Sequence, residues 1–96
     1  MWILKTDVPS GRARTFRLRA GAIKTVGRAP RADFIVDAAL VSRLHCRLTA
    51  ADDHVAVVDL SSTNGTFVNG KRIKTGTLAS GDRLRIGRVE LTVERT

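Results

Sequence analysis

Apolar and polar residues alternate in short runs along the chain. Phe16 and Leu18 alternate with Arg17 and Arg19, and Leu44, Cys46 and Leu48 alternate with His45, Arg47 and Thr49. Further on, Leu84 and Ile86 alternate with Arg83 and Arg85, and Val89, Leu91 and Val93 with Glu90, Thr92 and Glu94. Successive side chains of a strand point to opposite faces, so each run predicts a strand with one buried and one wet face. By the same pattern His45 falls on the wet face, opposite Leu44, Cys46 and Leu48. The stretch HVAVVDL, residues 54–60, is more continuously apolar and reads as a strand covered on both faces. Turn signals separate the runs: Pro9-Ser10-Gly11, Ala20-Gly21, Ala29-Pro30-Arg31, Asp52-Asp53, two Asn-Gly pairs, Thr75-Gly76, Ser80-Gly81-Asp82 and Gly87. No stretch carries a long apolar stripe at helical spacing, and Ala38-Ala39-Leu40 is too short to nucleate a helix alone. The pattern predicts an all-β domain of many short strands, closed as a sandwich or barrel.

The two Asn-Gly pairs fall within SSTNGTFVNG, residues 61–70. Asn-Gly favours a two-residue hairpin turn because both residues tolerate positive φ. Only Thr66, Phe67 and Val68 separate the pairs, which is the bare minimum for a strand. Asn69-Gly70 lies between Phe67-Val68 and Lys71-Arg72-Ile73 and reads as an ordinary hairpin. Asn64-Gly65 follows Ser61-Ser62-Thr63, where hydroxyls replace alternation, and reads as something other than a chain reversal.

Composition narrows the class. A chain of 96 residues fits one small domain with a modest core. No apolar run approaches the ~20 residues of a membrane-spanning helix, and the N-terminal MWILKTDV lacks the form of a secretion signal. A single cysteine, Cys46, excludes an internal disulfide and the usual multi-cysteine zinc site. The expected setting is a reducing cytoplasm, or a nucleus in a eukaryotic host. The formal net charge of +8 favours an anionic partner. The basic residues are scattered rather than blocked, which argues against a disordered basic arm. The four aromatics do not alternate with basic residues, which weakens a single-stranded nucleic-acid reading.

Function belongs in the loops if strands hold the core. Val26-Gly27-Arg28-Ala29-Pro30, Val41-Ser42-Arg43-Leu44-His45 and Ser61 to Gly65 each offer groups that suit an anion. A guanidinium with several neutral donors is the usual kit for gripping a phosphate. Singly, these are ordinary loop residues. In this order they resemble the forkhead-associated (FHA) domain family: Gly27-Arg28, then Ser42-Arg43-Leu44-His45, then Ser62-Thr63-Asn64-Gly65-Thr66, then Val68-Asn69-Gly70, with Gly81 to Gly87 ahead of a final strand. The resemblance runs from about Ile23 to Val93.

What the resemblance implies is a β-sandwich of two twisted, mainly antiparallel sheets, with a loop-built site at one end that binds phosphothreonine in partner proteins. Arg28 and the Ser42 hydroxyl would hold the phosphate, Arg43 would add a second charge, and Thr63 a loop contact. Asn64 would bond the main chain of the bound peptide. Gly27 and Gly65 would shape the backbone, and His45 would brace the Ser42 loop. The partner would be the phosphorylated product of a Ser/Thr kinase. No cofactor, metal or membrane is implied. The domain, taken as residues 1–96, is expected to be a module of a longer protein. Leu40 and Val41 stand where some members carry a basic residue, which predicts tolerance of an apolar residue C-terminal to the phosphothreonine.

Other functions are weaker. His45 and Cys46 are sequence neighbours expected on opposite strand faces, which precludes a thiolate pair, and no carboxylate is placed to orient His45 as a base. His45 and His54 lack further metal ligands. The rivals that stay open are polyanion or nucleic-acid binding through the basic charge, and a phosphorylation-independent scaffold using Arg17, Arg19, Arg83, Arg85 and Arg88.

Overall fold

Eleven strands and no helix make up the computed structural model, which describes residues 1–7 and 13–96. The Pro9-Ser10-Gly11 turn signal lies outside the described residues. The strands are β1 (Trp2–Asp7), β2 (Thr15–Leu18), β3 (Ile23–Gly27), β4 (Phe34–Ile35), β5 (Cys46–Ala50), β6 (Val55–Asp59), β7 (Thr66–Val68), β8 (Lys71–Ile73), β9 (Thr75–Leu78), β10 (Arg83–Ile86) and β11 (Val89–Arg95). They form two sheets, a six-stranded one ordered β2-β1-β11-β10-β7-β8 and a five-stranded one ordered β4-β3-β5-β6-β9. Every pairing is antiparallel except β3 with β4. The all-β fold predicted from alternation is therefore what forms, as the two-sheet sandwich that the resemblance implies.

The core is the layer between the sheets. Trp2, Leu4, Leu84, Ile86, Leu91 and Val93 face Val26, Cys46, Leu48, Val55, Val57 and Leu78, all of them buried. Burial of each such side chain contributes roughly 1.5–3 kcal/mol. Phe16 of β2 stacks on Phe34 of β4 with ring centroids 4.8 Å apart, and the Trp2 indole N–H donates to the Ala51 carbonyl at 2.8 Å. Both contacts join one sheet to the other.

Two expectations need correction. The β6 strand is not covered on both faces: Val55 and Val57 are buried, whereas Ala56 and Val58 are half-exposed. On the outer face Val58 lies between Arg47 and Thr75 of the neighbouring strands, with no second layer. His45 is not on a wet face but fully buried. Strand β5 begins only at Cys46, so the period-two rule has no hold on His45.

The register gathers the functional loops. Val26 pairs with Cys46 and Cys46 with Asp59, so the end of β3, the start of β5 and the end of β6 share one end of the sandwich. Thr66 pairs with Ile86, which brings the start of β7 and the β10–β11 turn into the other sheet.

Candidate functional site

Three loops meet at this end: residues 28–33 after β3, 36–45 after β4, and 60–65 after β6. The first and second are zipped together. Arg28 N–H donates to the Ser42 carbonyl at 2.9 Å and Ala29 N–H to the Arg43 carbonyl at 3.1 Å. Gly27 permits this approach, since a Cβ there would lie 2.0 Å from the Arg43 carbonyl oxygen. The Arg28 Nε donates to the Val41 carbonyl at 3.1 Å, which steadies the guanidinium and leaves its terminal nitrogens free for a ligand.

His45 ties the second loop to the third. Its Nδ1 accepts from the Ser42 N–H at 3.0 Å, so Nε2 carries the proton and donates to the Gly65 carbonyl at 2.8 Å. Both ring nitrogens are committed to backbone groups, which leaves none for proton transfer. The Ser42 Oγ accepts from the Thr63 N–H at 3.1 Å, so its hydroxyl hydrogen points elsewhere. Asn64 Nδ2 donates to the Leu40 carbonyl at 3.1 Å.

Arg28, Ser42, Thr63 and Asn64 line one concavity of about 420 Å³, with Ala39, Leu40 and Val41. Arg43 is not among them. It opens onto a second concavity of about 520 Å³ on the other flank of Arg28, with Ala29, Pro30 and Arg31. Gly27, His45 and Gly65 lie beneath, all buried. The arrangement offers convergent donors and one cation, and no nucleophile paired with a base.

One contributor escaped the sequence reading, and two others have roles it did not give them. Asp59 accepts from the Ser62 N–H and hydroxyl and from the Thr66 hydroxyl, and so fixes the start of the third loop. Burial pushes the Asp59 carboxyl up, but the hydrogen bonds from Ser62 and Thr66 outweigh it and hold the group below its usual range. The Asp59-x-x-Ser62 spacing is the signal that could have found it. Leu40 has φ of 70° and is 46% exposed, an unusual backbone for a branched residue. Gly87, read as a turn and as the end of the Gly81–Gly87 stretch, packs beneath Leu40, where a Cβ would lie 2.9 Å from the Leu40 carbonyl oxygen.

The FHA domain family model matches residues 24–87. This chain belongs to the FHA domain family. Among its relatives, the glycogen accumulation regulator GarA of Mycobacterium tuberculosis is 39% identical over 70 residues, covering 73% of this chain and 43% of GarA. The chain thus spans less than half the length of that relative. Among solved structures, the FHA domain of the CT664 protein from Chlamydia trachomatis superposes with a TM-score of 0.92 at 26% identity, covering 99% of this chain and 97% of that one. A chain solved in an analysis of phosphothreonine-dependent FHA domain interactions gives a TM-score of 0.84 at 33% identity, covering 98% and 97%. The fold of this FHA domain is theirs along essentially its whole length.

Proposed function

We propose that this FHA domain is a non-catalytic module that binds phosphothreonine-containing peptides and so joins its parent protein to a phosphorylated partner, in the cytoplasm. The observation that carries the reading is the convergence of Arg28, Ser42, Thr63 and Asn64 on one concavity. Family membership and the phosphothreonine-dependent interactions of a relative 33% identical supply the ligand class. Arg28 pairs with the phosphate through its terminal nitrogens. Ser42 donates its hydroxyl hydrogen to the same phosphate, and Thr63 adds a hydroxyl. Asn64 bonds the peptide main chain beside the phosphothreonine. Gly27, His45 and Gly65 hold these groups in place.

A hydrogen bond to a charged group contributes roughly 1.5–3 kcal/mol. Three or four of them, less the cost of ordering a peptide, leave about −8 kcal/mol, or about micromolar affinity. Of the two apolar residues before Ser42, Leu40 is exposed and Val41 is buried, so any preference for an apolar ligand residue rests on Leu40. The test is titration of a degenerate phosphothreonine peptide library against wild type and Arg28→Ala. Binding is expected to vanish in the variant and after phosphatase treatment, with folding intact. Binding that survives phosphatase defeats the reading.

A further inference from the structure

Two successive carbonyls hold the two residues assigned to grip the ligand. The Leu40 carbonyl accepts from Asn64 Nδ2 at 3.1 Å, and the Val41 carbonyl accepts from Arg28 Nε at 3.1 Å. They are not equally secured. Val41 is buried, and its N–H donates to the Ala38 carbonyl at 3.3 Å. Leu40 is exposed and sits at φ of 70°, a backbone conformation unfavourable for a branched side chain. Such a conformation persists only where the surroundings enforce it. Here the constraint comes from the other sheet. At Gly87, in the β10–β11 turn, a Cβ would lie 2.9 Å from both the carbonyl carbon and the carbonyl oxygen of Leu40, and 3.2 Å from the Ala39 carbonyl oxygen. All three are backbone atoms, so no side-chain rotation makes room. The oxygen that this Cβ would strike is the one that orients Asn64. Gly87 is also fixed relative to Asn64, because Ile86 pairs with Thr66, two residues beyond Asn64.

We propose that Gly87 is a positioning residue for peptide recognition: its missing side chain lets the Leu40 peptide settle where its carbonyl aims the Asn64 amide at the main chain of the ligand. This rests on the phosphothreonine reading above. Gly87 lines neither concavity and touches no ligand itself. It acts through one hydrogen of Asn64 Nδ2, which Leu40 occupies, leaving the second amide hydrogen and Oδ1 to the peptide. The phosphate grip is independent of it, since Arg28 leans on the carbonyl of buried Val41 and Ser42 Oγ on the Thr63 N–H. A turn between two strands of the six-stranded sheet thus sets the main-chain grip of a site whose other groups are held by the loops.

The test is a double-mutant cycle, titrating one phosphothreonine peptide into wild type, Gly87→Ala, Asn64→Ala and the double variant. Gly87→Ala is expected to weaken binding about tenfold, as Asn64→Ala does, with circular dichroism unchanged. The double variant is expected to bind within about twofold of Asn64→Ala, because both changes remove the same contact. Gly81→Ala is the control. Gly81 also has positive φ, 95°, but a Cβ there meets nothing within 4 Å, so the variant carries the backbone strain without the collision. It is expected to bind within about twofold of wild type. A second measurement leaves Gly87 in place and so stands even where Gly87→Ala lowers stability. In 15N spectra, saturating peptide is expected to move the Gly87 amide resonance in wild type and to leave it in place in saturated Asn64→Ala. The inference is overturned by Gly87→Ala binding like wild type, by additive losses in the double variant, by equal loss in Gly81→Ala, or by a Gly87 resonance that responds identically with and without Asn64. If the peptide fails to bind wild type at all, the phosphothreonine reading falls and takes this inference with it.

Discussion

At Gly27 a single methyl group decides whether two loops can meet. The added Cβ would sit 2.0 Å from a backbone oxygen that no side-chain rotation can move. Gly27→Ala is expected to cost about 3 kcal/mol, the upper end for overpacking a closed site, read as a lowered urea midpoint. Asn64 is the opposite case. It is exposed, and its bond to the Leu40 carbonyl is the one side-chain hydrogen bond it makes among the described residues. Asn64→Ala is expected to weaken phosphopeptide binding about tenfold, the worth of its bond to the ligand main chain, while the melting temperature moves by a few degrees at most. Calorimetric titration beside a thermal melt separates the two effects; a variant that mainly unfolds would make Asn64 a turn residue. His45 marks the limit of reading residues by alternation. A buried imidazole satisfied by Ser42 and Gly65 has the same sequence signature as a wet-face histidine, because one of its partners, Gly65, comes from another loop twenty positions away.

Elements show why two Asn-Gly pairs sit so close together. Asn69 and Gly70 both take positive φ, 48° and 82°, and join β7 to β8 as a two-residue hairpin. In the first pair Gly65 alone does so, at 91°, and the segment passes from β6 in one sheet to β7 in the other. It is a crossover between layers rather than a hairpin. The hairpin was legible because its turn chemistry is local. The crossover's anchor, Asp59, was not, because its worth comes from accepting three bonds once the loop is closed. With its carboxyl held below the usual range, Asp59 stabilises the fold fully above the ordinary carboxylate value. That stabilisation is lost as pH falls through the lower folded value. Asp33, depressed by hydrogen bonds from the Thr25 backbone and side chain, acts in the same sense. Denaturation monitored from pH 7 to about pH 3 is therefore expected to show falling stability. Asp59→Asn is expected to cost about 1 kcal/mol at neutral pH and to flatten that fall.

Across the whole molecule the single thiol reports on the core. Burial, with a smaller push from the Asp59 charge, raises the Cys46 thiol to about 12, so it is protonated and unreactive at neutral pH. A disulfide reagent is expected to label it only through global opening, at a rate that follows the unfolding equilibrium as urea is added. Fast labelling of the native domain would refute a closed core. At this scale the basic residues also separate. Arg17 and Arg83 lie exposed on the outer face of the six-stranded sheet, and Arg85 there packs over Phe67, 3.9 Å from the ring centroid. Arg88 occupies the β10–β11 turn near the site, while Arg19 follows β2 at the far end.

Period-two alternation, frequent turn signals and the absence of a helical stripe determined the all-β class and the inward residues of β5, β10 and β11, since strand faces follow from neighbours two apart along the chain. The order of Gly27-Arg28, Ser42 to His45 and Ser62 to Thr66 was enough to nominate the loops. Only the tertiary structure decided which residues share a concavity. It set Arg43 apart from Ser42, turned His45 inward, and put Gly87 under Leu40. Each of these depends on how strands distant in sequence pair and on which backbones pass within van der Waals contact, and no local pattern encodes those distances.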